Sequence, residues 1–368
     1  MNILLKGKAR LNGLDHLRAL AIVLVLLFHY KRLYPHPSWI DGIEQLGWTG
    51  VDLFFVLSGF LISSQLFKEI KNSNTISLKA FFIKRFFRIL PLYYIILAAY
   101  FIFPFLREKE ALPPLWKFLT FTHNFGSDFP NYGTFFQVWS LCVEEHFYLF
   151  FPLLLLLLIK SKGFKKSYWV LLGLFLFGFA LRFFLWNTQI QPFGDEGLSN
   201  WGAIIYAPTY NRLDGLLVGV AIAAIYQWLP NVWAKITNYA NYWLIAGILL
   251  MVLAYFFWSD FNNFTTTIFG FPLIAIAYGC MIIGVLSPAN FLYRWNSKTT
   301  QLIAILSYGI YLSHKAVIVV VQNSVSNLGI AKDSNFMFIL CMFLCVVVAW
   351  ALYLLIEQPF LKLRKRFL

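Results

Sequence analysis

The chain has 368 residues, of which 60% are hydrophobic and only 12% charged, and it carries 40 Phe, 19 Tyr and 13 Trp. That usage excludes an ordinary soluble domain and reads as a polytopic membrane protein. The net charge of +14 implies no nucleic-acid partner, because the basic residues fall in short loops between apolar runs, the pattern that orients membrane proteins.

Apolar runs of span length predict an all-α membrane bundle of about ten transmembrane helices, near residues 14–31, 50–67, 82–105, 137–159, 168–186, 209–228, 242–258, 264–286, 301–322 and 335–357. Lys6, Lys8 and Arg10 precede the first run as in a signal peptide. That run ends in Phe28-His29-Tyr30-Lys31-Arg32 without a small-residue cleavage site, so it reads as an uncleaved first span. A short apolar piece from Trp116 to Phe125 is too brief to cross and reads as interfacial or re-entrant.

Lys and Arg collect on alternate loops: Lys6, Lys8 and Arg10; Lys68, Lys71, Lys79, Lys84, Arg85 and Arg88; Lys160, Lys162, Lys165 and Lys166; Lys235, Arg294 and Lys298; and Lys362, Arg364, Lys365 and Arg366. The opposite loops are diluted by Asp41, Glu44, Glu108, Glu110, Asp128, Asp195, Glu196, Asp260 and Asp333. Both termini are therefore expected in the cytoplasm. No loop is long enough for a soluble domain, so residues 1–368 are read as a single integral-membrane domain. Cys142, Cys280, Cys341 and Cys345 lack metal spacing and read as buried thiols. No metal site and no resident cofactor are expected.

Ionisable residues inside spans are costly and usually functional. In the first span, Arg18 and His29 are eleven residues apart, about three helical turns, and leave nearly the same face roughly 16 Å apart along the axis. Arg18 falls toward the inner end and His29 toward the outer. The second span starts with Gly50-Val51-Asp52, placing Asp52 at the depth of His29, where its carboxylate could orient the imidazole. Arg85 and Arg88 share a face at the inner mouth of the third span, and guanidinium forks suit phosphate capture.

Glu144, Glu145 and His146 enter the fourth span together and imply a polar cavity near the outer face, which one of the two glutamates faces. Arg212 and Asp214 open the sixth span, where Arg212 could neutralise a cavity carboxylate. Gly215, Gly219 and Ala223 form a small-residue ridge for close packing. Ser307, Tyr311 and His314 lie on one face of the ninth span as a second polar stripe. Glu357, ahead of Pro359, is a possible partner for a cytoplasmic arginine.

In this order the motifs resemble the acyltransferase-3 family of bacterial integral-membrane O-acyltransferases, which acylate sugars of surface and exported glycans. The resemblance rests on Leu14-Asp15-His16-Leu17-Arg18 with His29, Gly50 through Leu61, Arg85 through Pro91, Trp139 through Tyr148, Arg212-Leu213-Asp214-Gly215, Tyr308 through His314, and Glu357-Gln358-Pro359. It departs at His16, where glycine is commoner in the family, and at His146, where glutamine is frequent. The extracytoplasmic hydrolase-like domain of some members is not expected here, so a second transfer step would need a separate protein.

The resemblance implies an acyl-CoA donor, with acetyl the favoured group, and a carbohydrate or glycolipid acceptor at the bacterial inner membrane. It implies that Arg85 and Arg88 hold the donor phosphates, that Arg18 lines the conduit, and that His29 is catalytic. Asp52 or Glu145 would assist His29, while Arg212, Tyr311 and His314 would line the acceptor side. Either direct transfer or an acyl-enzyme intermediate fits these residues. The competing class is a transporter or flippase of a lipid-linked sugar, which would move substrate without consuming acyl-CoA.

Overall fold

The structure, a computed structural model, describes residues 11–109, 111–126, 133–161, 163, 167–257 and 262–368. Lys6, Lys8, Arg10, Glu110, Asp128, Lys162, Lys165, Lys166 and Asp260 lie outside the described residues. Among those described there is no β-strand, and ten main helices fall on the ten expected segments. They are α1 Asn12–Leu33, α2 Gly50–Ser73, α3 Leu78–Ile102, α4 Trp139–Lys160 and α5 Ser167–Leu185. The second half holds α6 Asp214–Trp228, α7 Ala240–Phe257, α8 Phe271–Val285, α9 Lys298–Ser326 and α10 Asn335–Leu352.

Eight of these, some lengthened by adjoining turns, are long and apolar enough to cross a membrane. The sixth starts later than expected, at Asp214, and ends where expected, at Trp228. It stops after 15 residues, and the chain bends by 111° at Leu229 into the short helix Pro230–Thr237. Pro230 explains the break, since it lacks an N–H and pushes the preceding residue out of helical geometry. Elsewhere helix starts follow side-chain chemistry: the hydroxyls of Ser77, Ser297 and Ser334 accept from the amides of Ala80, Thr300 and Met337. The piece around Trp116 is a single short helix, Leu115–Leu119, with Trp116 exposed and Phe118 buried.

Helices α2, α8 and α9 are buried along most of their length, whereas α5 and α10 present apolar side chains outward, as lipid-facing helices do. The tightest contact joins α2 to α6 along the glycine ridge read from the sequence. A Cβ added at Gly219 would sit 2.4 Å from the Val56 carbonyl oxygen, and one at Gly59 would sit 2.2 Å from that of Leu216. Only hydrogen fits there, so the two backbones touch and gain dispersion contacts that apolar lipid cannot replace. Helix α1 packs on both α2 and α9. This brings residues from the two ends of the chain together at the centre of the bundle. All four cysteines are buried and free.

Candidate active site

His29 lies one turn before the end of α1 and opens into a cavity of about 460 Å³. The walls are largely aromatic, with Trp48, Trp139, Trp201 and Tyr206 among them, and Arg32, Lys109 and Lys315 add positive charge. Flat aromatic faces flanked by polar groups suit a sugar ring, which has apolar C–H faces and polar edges.

The partner of His29 is another histidine. Its Nδ1 lies 3.0 Å from Nε2 of His314 on α9. His314 Nδ1 faces two carbonyl oxygens, Ile310 at 3.0 Å and Tyr311 at 2.9 Å. Carbonyls only accept, so His314 Nδ1 carries a proton and, in the neutral ring, Nε2 carries a lone pair. His29 Nδ1 must then donate to it, which leaves His29 Nε2 unprotonated. This backbone-anchored pair therefore sets the tautomer that a general base requires.

Beside it, Lys315 Nζ lies 3.1 Å from Glu108 Oε1, with both side chains buried. The same oxygen accepts from the Phe135 amide at 3.0 Å. Phe135 has φ 55°, unusual for a bulky residue, and its ring stacks on Tyr100 at 4.4 Å between centroids. This ion pair ties the loop before α4 to the His314 turn. Its signal was present in the sequence: Lys315 is an ionisable residue inside an apolar run.

A second, smaller cavity of about 120 Å³ is lined by Arg18, Arg85, Arg88, Glu144, Tyr148 and Ser58, among others. Arg88 is paired to the buried Glu357 carboxylate at 2.9 Å, the arginine partnership anticipated for that glutamate. Arg85 lies over the rings of Tyr148 and Phe81, 5.5 and 5.9 Å from their centroids. Tyr148 donates to Glu144 and lies 3.2 Å from Ser58 Oγ.

Among the residues lining the two cavities, only Tyr311 borders both. Its hydroxyl donates to the Gln137 carbonyl and shares a hydrogen bond of 2.6 Å with Ser140 Oγ. The two cavities are therefore separate in this structure, with Tyr311 standing between them and held at the start of α4.

The other expected site residues separate. Asp52 does not orient His29: its Oδ1 lies 2.7 Å from Arg212, and both side chains are almost wholly buried. The carboxylate is pulled to the nearest cation because an unpaired buried charge is costly. Arg212 neutralises a carboxylate as anticipated, but it stands behind the cavity wall, boxed by the rings of Phe271, Tyr206, Trp139 and Phe55. Arg182, which the sequence reading passed over, makes a similar buried pair with Asp214 at 2.7 and 3.1 Å.

Glu144 is the glutamate that faces a cavity, and that cavity is the arginine one rather than that of His29. Glu145 lines neither of these two cavities, and its Oε1 is buried without a hydrogen-bond partner. A turn of about 100° per residue separates the two. His314 acts on His29 from behind the wall. Arg18, Arg85 and Arg88 share one cavity as expected, and Tyr311 lines the cavity of His29.

This bundle, with His29 at one cavity and clustered guanidiniums at another, belongs to the acyltransferase-3 family: residues 11–354 match the family described as an acyltransferase domain. The chain is an integral membrane protein of that family. It is 28% identical over 371 aligned positions to a Staphylococcus aureus (strain COL) protein named "Putative O-acetyltransferase", covering 95% of this chain and 57% of the relative. It is 29% identical over 326 positions to the peptidoglycan O-acetyltransferase OatA of Listeria monocytogenes serovar 1/2a, covering 83% of this chain and 49% of that protein. The chain thus spans about half the length of the curated relatives it matches. No solved structure matches it significantly.

Proposed function

We propose that this chain transfers an acetyl group from cytoplasmic acetyl-CoA to a hydroxyl of a cell-envelope carbohydrate or glycolipid on the far side of a bacterial cytoplasmic membrane. The basic loops support an inner location for the arginine cavity and an outer one for His29. The names of the Staphylococcus and Listeria relatives support acetyl as the group moved, and the latter supports a peptidoglycan-like acceptor. The single observation that carries the reading is the His314–His29 pair, because its hydrogen-bond logic leaves an unprotonated imidazole nitrogen at an aromatic cavity.

In this reading the donor nucleotide stays at the arginine mouth and its thioester reaches past Tyr311. The acceptor hydroxyl gives its proton to His29 Nε2 as its oxygen attacks the thioester carbonyl, forming the C–O bond. Loss of the C–S bond then releases the thiolate, which takes the proton back from the imidazolium. His314 steadies that cation through its Nε2 lone pair, the part that Asp52 and Glu145 are not placed to play.

The test is vectorial. Proteoliposomes are loaded with cell-wall glycan and given acetyl-labelled acetyl-CoA outside, with protein oriented arginine side out. Label should appear as an ester on the enclosed glycan. Label-free glycan together with intact acetyl-CoA would reject the enzyme reading, and movement of glycan across the membrane without acetyl-CoA use would favour a transporter.

A further inference from the structure

Beyond α10 the chain continues as Tyr353–Glu357, the short helix Gln358–Leu363 and the turn Arg364–Arg366. This tail folds against α3 at the arginine cavity, where Phe87 meets Phe367 at 5.3 Å and Phe360 at 6.5 Å between ring centroids. The fold places Arg364 within electrostatic reach of both Arg88 and Arg85. Arg18 is near enough to Arg88 to feel its charge as well.

Four guanidiniums thus converge from α1, α3 and the tail. The carboxylates that reach them are Glu357, bound to Arg88; Asp15 and Glu144, both acting on Arg18; and Glu144 and Glu145, both acting on Arg85. The Nε groups of Arg364 and Arg85 are both buried with no hydrogen-bond partner. Buried N–H donors on crowded cations are expensive unless an anion supplies acceptors. A phosphate, with several acceptor oxygens and one or two negative charges, is the kind of anion that satisfies such donors.

We infer that Arg364 completes, with Arg85 and Arg88, a binding site for a phosphate-bearing anion at the arginine mouth. The phosphate belongs either to the nucleotide end of the acyl donor, an assignment that rests on the function proposed above, or to an anionic lipid headgroup. The tail is in that case part of the binding site and not merely a basic membrane anchor. Arg366, two residues on and exposed, serves as the matched control.

The test uses the full chain in nanodiscs of neutral phosphatidylcholine, titrated with coenzyme A by calorimetry, and native mass spectrometry after adding phosphatidylglycerol. Arg364→Gln should weaken coenzyme A binding about tenfold or more, while Arg364→Lys keeps part of it and Arg366→Gln changes nothing. Loss of a phosphatidylglycerol adduct in Arg364→Gln, with coenzyme A binding intact, supports the site and assigns it to the headgroup. If wild type binds no coenzyme A but loses that adduct on substitution, the phosphate site stands and the acyl-CoA reading falls. Unchanged binding of both probes, or equal losses in Arg366→Gln, overturns the inference. Thermal midpoints matching wild type guard each comparison.

Discussion

His29 and His314 are 285 residues apart in the chain and share a hydrogen bond of 3.0 Å at the centre of the bundle. The bond matters because the carbonyls behind His314 fix which nitrogen carries each proton. His29→Ala should lower acetyl transfer by roughly 10²–10⁴-fold while the protein remains inserted. Label transfer measured in membranes with matched protein content checks this, and activity near wild type would remove His29 from the reaction.

His314 acts through His29, so substitutions there should separate by hydrogen-bonding capacity. In His314→Gln the amide oxygen can still accept from His29 Nδ1, and most activity should survive. His314→Leu should lose about tenfold or more and show a displaced pH–rate profile, because both tautomers of His29 become accessible. Identical profiles for the two variants would mean that His314 only fills space.

The Asp52–Arg212 pair predicts a stability effect rather than a catalytic one. Asp52→Asn leaves a buried guanidinium uncompensated and should destabilise by about 3–5 kcal/mol. It should be read as a lower thermal midpoint in detergent. The double variant Asp52→Asn with Arg212→Met should recover much of that loss. A fully stable but inactive Asp52→Asn would return Asp52 to the chemistry.

Tyr311→Ala should join the two cavities. The expected outcome is a rise in acyl-CoA hydrolysis without acceptor, because water gains access to the thioester from the His29 side. Free thiol released in the absence of glycan is the readout. No increase over wild type would show that the separation is held elsewhere.

At Gly219, a side chain meets backbone instead of a movable side-chain end. Gly219→Val should therefore destabilise by more than ordinary overpacking, about 3 kcal/mol or above. Trypsin sensitivity in native membranes would report the separation of α2 from α6. Gly173, whose added Cβ would meet nothing within 4 Å, is the control.

The ten helical segments were legible because each is a run of apolar residues, and apolar length is a local property of the chain. The sixth helix ends at Trp228, where its apolar run was expected to stop, and Pro230 follows. The partnerships of the polar groups were harder to read. Asp52 and His29 share a depth, yet depth does not fix which way a side chain turns, and Arg212 lies nearer to that carboxylate. The histidine pair depends on α1 packing against α9, a contact between distant parts of the chain that no spacing records. Lys315 and Arg182 were readable as charges in apolar runs. Their partners, Glu108 in a loop and Asp214 at the start of α6, became evident only in the folded chain.

The seal at Tyr311 bears on more than acyl transfer. A bore open from one face of the bundle to the other would let protons and small ions run down the gradient that energises the cell. A phenol latched to Ser140 and Gln137 between the two cavities would help keep the resting protein electrically tight. During turnover the threaded donor arm would itself be the stopper, so such a catalyst need not choose between passing its cargo and keeping the membrane charged.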